Sequence, residues 1–397
     1  MSRLRSVSSG SIYFGPIAAG VFFITIAAHV RAPLLPDMGR DLGMSPTALG
    51  AFIAVFGLGR ILADIPAGHL TDHRPARLML AVGALIVALG SLAAGLAPTS
   101  VVAFMASFLL GVGSAWTNTT GIAAFAEAPR ERRGVAMAGF AAALMVGQAV
   151  GPAFGGVTAS IWDWRMAFYG AALLGVVTAV LLAAPQSTET VTARSRSAEP
   201  ASPIAFPVLA AIYLLPAAQF GTAAALIQTL IPIVGDSELS LSVGTIGVAI
   251  GAGGLLRLVG AIASGHVSDR YSRRWALFPG LALQLAALLF FAFGSSVATW
   301  WAAIAIYSVG SSTVNVGATM LADLSEGGRL GRRLGVFRLT GDTALLVTPL
   351  LGGALYEAHG RGWATAPLII LVVVVLIMAF ALIPETISRQ TDDVPLR

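Results

Sequence analysis

Six ionisable residues interrupt long apolar stretches of this chain: Arg31, Arg60, Asp64, Arg257, Arg338 and Asp342. Arg60/Asp64 and Arg338/Asp342 are each spaced by four residues, which on a helix puts both side chains on one face. Charge inside an apolar span is costly and marks ion paths, proton relays or ligand counter-charges. Two readings of these pairs stay open. Each pair neutralises itself locally, or all four residues form one network that exchanges partners, with a carboxylate that titrates. Four arginines against two acids also leave the interior net positive, which favours an anionic ligand over a lipophilic cation. Uncharged polar residues in similar surroundings, Asn118, Gln148, Gln228 and Asn315, complete with Arg31 and Arg257 a candidate cavity lining.

Covalent chemistry has little to work with. There is no cysteine, and all 24 basic residues are arginine, so thiolates, disulfides and lysine Schiff bases are excluded. No H-E-x-x-H, G-x-S-x-G or Walker loop occurs, and no metal site or cofactor is expected. The residue types fit binding and proton movement, and the expectation is that the protein is not an enzyme.

The elements that must hold these residues follow from composition. Charged residues make up 11% of the chain, against about 25% in soluble domains, and apolar residues 56%. Apolar blocks of twenty or more residues suffice to cross about 30 Å of hydrocarbon. Twelve such spans are predicted, near 12–35, 46–66, 77–97, 100–125, 134–160, 164–184, 204–234, 241–264, 275–295, 298–323, 333–356 and 362–384. The fold expected is an all-α polytopic membrane protein, embedded in a lipid bilayer. Between the sixth and seventh spans lies the Ser/Thr/Pro-rich stretch 185–203, read as a linker joining six-helix units at 1–184 and 204–397.

Outside the spans, only Arg40, Arg165 and Arg361 fall on one side; the other arginines fall on the side of both termini. The positive-inside rule predicts cytoplasmic termini. It also explains the net charge of +5 without nucleic acid.

Residues 57–80, GLGRILADIPAGHLTDHRPARLML, return as 254–277, GLLRLVGAIASGHVSDRYSRRWAL, at a constant offset of 197. The same offset pairs Asn118 with Asn315, Pro152 with Pro349 and Gly155-Gly156 with Gly352-Gly353. A single offset across several spans indicates two parallel copies of a six-helix unit, pseudo-symmetric bundles around a shared axis.

Six plus six helices with GHLTDHRPAR after the second span resemble the major facilitator superfamily, whose loop motif is approximately G-x-L-x-D-R-x-G-R-R. Gly68, Leu70, Asp72 and Arg77 fit, while His73 and Pro75 depart from it. In the second copy Gly265, Asp269, Arg270, Arg273 and Arg274 fit and Ser272 departs. The resemblance implies a gating latch around Asp72. The glycines are expected to let helices approach closely. GQAVGPAFGG, residues 147–156, is similar to a signature of proton-coupled antiporters, carried by Gly147, Gly151, Pro152, Gly155 and Gly156. Ser107 stands where such exporters usually carry arginine.

The resemblance implies a monomeric secondary transporter of the bacterial inner membrane, working by rocker-switch alternating access. Two substrates compete: a drug-like amphipath exported against protons, and a small organic anion moved through an arginine-lined cavity with Arg60 and Arg257 at equivalent positions. A transporter-like receptor without flux is the alternative of another class, and it would need an output domain.

Overall fold

A computed structural model describes residues 6–71, 73–126, 128, 133–183, 204–324 and 330–383. Among them the regular structure is entirely helical. The linker 185–203, Asp72 and both chain ends lie outside the described residues.

In the first half, α1 (Ser6–His29) gives way at Ala32–Leu34 to a 3₁₀ turn and then to α2 (Leu35–Leu42). Pro33 and Pro36 supply no N–H and cause the break, and Gly43 closes α2 in the left-handed conformation at φ 61°. The predicted first span therefore starts earlier than expected. Arg31 sits at its break rather than within a continuous helix. There follow α3 (Pro46–Thr71), α4 (Ala76–Gly95), α5 (Ser100–Ala126), α6 (Arg133–Ile161) and α7 (Trp164–Ala183).

In the second half, α8 (Phe206–Pro216) runs through two π-helical stretches, Ala217–Gly221 and Ala223–Leu230, into α9 (Ile231–Ser237). Thr229 Oγ1 donates to the Ala224 carbonyl five residues back, while Thr348 and Tyr307 hydroxyls reach the carbonyls of Gly221 and Gln219. Carbonyls released by the wider turn thus find partners on neighbouring helices, the condition for irregular backbone at membrane depth. Then come α10 (Val243–Arg270), α11 (Arg273–Phe293), α12 (Val297–Gly310), a 3₁₀ turn Ser311–Thr313, α13 (Val314–Asp323), α14 (Leu330–His359) and α15 (Arg361–Leu382). Ser242, Ser272 and Ser296 cap α10, α11 and α12 through their hydroxyls.

Eleven helical segments among the described residues are long and apolar enough to cross a membrane. The predicted tenth span, 298–323, is instead divided at Ser311–Thr313. Two hydrophobic clusters form, one drawn mainly from residues 17–182 and one mainly from 211–383. Between them two crossings dominate, α3 against α14 and α6 against α10.

Candidate functional site

Both crossings are built on glycine, and they are copies of each other. On α10, a Cβ at Gly247 would lie 2.5 Å from the Pro152 carbonyl oxygen and 2.7 Å from the Gly156 Cα. Gly50, 197 residues before Gly247, meets the Pro349 carbonyl and the Gly353 Cα on α14 in the same way. Neither helix pair can carry a side chain there and keep its spacing. Gly147, Gly151 and Gly155 serve a different contact, with α1: a Cβ at Gly147 would sit 2.7 Å from Thr25 Cβ, one at Gly151 2.8 Å from the Ile26 carbonyl, and Gly155 lies against Val30. Of the motif, Pro152 and Gly156 reach the other half. Sequence reasoning paired Gly155-Gly156 with Gly352-Gly353 but missed the seam through Gly50.

The seams occupy one face of the molecule. Polar clasps reinforce that face: Arg40 with Asp236 at 2.6 Å, the Thr47 amide donating to Glu357 at 3.0 Å, and Tyr356 OH donating to Glu238 at 3.0 Å. Towards the opposite face, that of the 71–76 and 270–273 turns, contact thins out. A Cβ at Gly139, Gly265 or Gly335 would meet nothing within 4 Å, and one at Gly68 only Thr119 Cγ2 at 3.8 Å. The close approach expected at Gly68 and Gly265 is therefore not seen among the described residues.

One turn beyond the last glycine contact on α3, the charged residues pair across the halves. Arg60 Nε donates to Asp342 Oδ1 at 2.9 Å and Arg338 Nη2 to Asp64 Oδ1 at 3.4 Å. The i, i+4 partners on each helix thus exchange, so α3 and α14 are tied rather than separately neutralised. Ser114 accepts from Arg60 at 3.3 Å and Thr119 donates to Asp64 at 2.9 Å. Both belong to α5 and neither was singled out by sequence. Their placement on the helix beside α3 is the signal that could have found them.

The equivalent turn of α10 carries Arg257, and it has no acid. Its Nη1 lies 3.5 Å from Gln148 Oε1, and its buried Nε has no partner. Arg31 is 1% exposed and lies 3.5 Å over the Phe56 ring. It donates to the Ala28 carbonyl at 2.5 Å and to Gln228, its own 197-offset mate, at 2.8 Å, and its Nε is also unpartnered. Arg60 and Arg257 are thus not equivalent ligands, since Arg60 is engaged by Asp342. Asn118 is half-buried on α5; Asn315 lies in α13, with its side chain outside the description.

The loop-motif arginines act within each half. Arg77 donates to the Leu181 carbonyl at 3.0 Å and Arg274 to that of Phe380 at 2.6 Å, each placing a cation at a helix C-terminus. Arg273 joins Asp269 at 2.5 Å and Asp323 at 3.0 Å. The expected latch at Asp72 falls outside the described residues.

The sequence pattern described as Major Facilitator Superfamily matches residues 17–237 and again 214–396. The chain belongs to the major facilitator superfamily. Within this superfamily it is similar to the multidrug resistance protein Stp of Mycobacterium tuberculosis, 31% identical over 154 residues, covering 38% of this chain and 28% of Stp. It is also similar to the quinolone resistance protein NorA of Staphylococcus aureus, 23% identical over 357 residues, covering 85% of this chain and 88% of NorA. The chain thus spans less than a third of Stp but most of NorA. In fold it resembles a bacterial homologue of the human lysosomal transporter Spinster, with a TM-score of 0.76 at 14% identity over 93% of this chain and 96% of that one. Family membership and the eleven membrane-length helical segments among the described residues make it a multi-pass membrane protein of the facilitator type.

Proposed function

We propose that this chain is a secondary transporter that works by rocker-switch alternating access and exports a small amphipathic molecule in exchange for protons. The observation that carries the reading is the unequal contact between the halves: paired glycine seams close one side, and no glycine seam is found towards the other among the described residues, which this reading takes as the open face. On this reading the open face is cytoplasmic, with both termini, in a bacterial-type inner membrane. The segment Val297–Asp323 is the twelfth span, and monomeric units 1–184 and 204–397 rock about the linker 185–203.

Asp64 and Asp342 are the coupling carboxylates. While deprotonated they hold Arg338 and Arg60 and tie α3 to α14. A proton arriving on either carboxylate removes the charge that ties α3 to α14. The drug-resistance names of Stp and NorA support the exporting direction. A second reading, movement of an organic anion, is favoured by the two arginines that lack acids.

The test uses the absence of native cysteine. Arg40→Cys with Asp236→Cys replaces a clasp that bridges the halves at 2.6 Å. In proteoliposomes, oxidation of this pair is expected to stop ethidium transport and its coupled proton flux, and reduction to restore both. Transport that continues through the cross-linked protein overturns alternating access.

A further inference from the structure

We infer that Arg257 anchors the carboxylate of an organic anion, with Arg31 supplying the second positive charge at the blind end of the cavity. This names a substrate class for the transporter proposed above and rests on that reading.

Charge accounting comes first. Of the four arginines placed within the apolar spans, Arg60 and Arg338 each hold an aspartate across the halves. Those two aspartates are thereby spent. Arg31 and Arg257 have no acidic partner among the described residues: Arg31 meets Gln228, the Ala28 carbonyl and the Phe56 ring and lies within reach of the Arg60 charge, and Arg257 meets Gln148. Each keeps a buried Nε with no acceptor. A guanidinium does not escape by losing its proton. An uncompensated cation in a low-dielectric setting costs several kcal/mol unless a counter-charge arrives.

Pseudo-symmetry sharpens the point. Arg60 and Arg257 are offset mates, and subtracting 197 from Arg338 and Asp342 leads to Ala141 and Met145 on α6. The arginine is present in both halves and the acid in only one. At the α6–α10 crossing the missing negative charge is left for a ligand.

Position makes that ligand exchangeable. The last glycine contact of this seam is Gly254, whose Cβ would lie 2.7 Å from Ala149. Arg257 follows one turn later, on the side taken above as open, and is only partly buried. Arg31 lies deeper, at the break after α1, and its 3₁₀ turn packs on α10. His29 lies within electrostatic reach of Arg31, Arg60 and Arg257, so these positive groups share one region. A carboxylate fits side-on against Nε and its neighbouring Nη of a guanidinium, through two parallel hydrogen bonds. Arg31 then acts through the field rather than by contact.

The test is equilibrium binding to purified full-length protein, with radiolabelled benzoate and tetraphenylphosphonium as probes. Saturable benzoate binding, displaced by other carboxylates, is expected in the wild type. A charge-assisted hydrogen bond is worth about 1.5–3 kcal/mol, so Arg257→Gln should weaken benzoate binding by roughly 10- to 100-fold. Arg257→Lys retains the charge and recovers part of it. Arg31→Gln weakens it less, and Arg332→Gln, exposed near the start of α14, leaves it unchanged. If benzoate binds equally well to Arg257→Gln, the anchor is wrong. If only tetraphenylphosphonium binds, the anion class is wrong, yet the cysteine-pair experiment still decides alternating access independently. Transport that continues through the cross-linked protein with benzoate binding intact would instead keep the anion site and overturn alternating access.

Discussion

The two crossings between the halves, α3 with α14 and α6 with α10, share a backbone plan and differ in charge. Each closes over a Gly-Pro-x-x-Gly-Gly or Thr-Pro-x-x-Gly-Gly run, with a glycine of the facing helix against the last glycine of the run. About three turns further along the facing helix, each carries an arginine. At α3–α14 that arginine is half of a two-bridge ladder; at α6–α10 it faces a glutamine. Packing was copied with the repeat and the electrostatics diverged. On the function proposed above, the seam serves a motion both halves share and the charges divide the labour, one crossing for coupling and the other for ligand.

Removing one partner from the ladder is the strongest way to break this comparison. Asp342→Asn leaves Arg60 buried without its counter-charge, and the cost of orphaning one member of a buried pair is about 3–5 kcal/mol. SDS-induced unfolding of the purified variant should show a loss of that order. The double variant Arg60→Gln/Asp342→Asn should regain most of it. At the other crossing the sign differs: Arg257→Gln removes a charge that has no acid, so stability should hold or rise. Equal losses for Asp342→Asn and Arg257→Gln would mean that the two crossings are electrostatically alike.

Glycine substitutions test what the crossings have in common. Gly50→Leu and Gly247→Leu each place a side chain against the backbone of the facing helix. Overpacking of that kind costs typically about 1–3 kcal/mol. The cost falls only on the conformation in which this face is closed, so the equilibrium should shift toward the alternative state. Accessibility of a single reporter cysteine at Thr47 to a membrane-impermeant maleimide should rise in both variants, and to similar extents. A rise in one alone would show that the seams are not equivalent.

Much of this was legible in the sequence, for physical reasons. Eleven of the twelve expected spans, and the repeat, follow from apolar block length and from the 197 offset, which needs only identity at matched positions. The offset already paired the glycines of α6 and α14, and extending it to Gly50 and Gly247 would have yielded both seams. Partner choice was not legible. Four residues of spacing bring Arg60 near Asp64 and equally allow Arg60 to reach across a helix crossing, and only the crossing decides. Helix irregularity was hidden too. The π stretches at 217–230 follow from threonine and tyrosine hydroxyls that reach freed carbonyls, which are tertiary contacts with no local pattern. The glycines of the loop motif show a further limit, since a sequence prescribes close packing without saying in which conformation it occurs.

The smallest effect concerns how the ladder is held from the side. Thr119 donates to Asp64 Oδ1 at 2.9 Å, the same oxygen that receives Arg338 at 3.4 Å. The short bond from the hydroxyl fixes the carboxylate, and the longer ion pair follows from where the hydroxyl puts it. Thr119→Val keeps the shape and removes this donor, a change worth about 1 kcal/mol. If Asp64 is a coupling group, removing a hydrogen bond made directly to its carboxylate should displace the pH profile of transport in Thr119→Val, with maximal rate little altered. Ser114→Ala, which removes an acceptor from Arg60 and leaves both carboxylates untouched, should not move the profile. A shift in both variants, or in neither, would assign proton coupling to a group other than Asp64 and leave the ladder as a mechanical tie between α3 and α14.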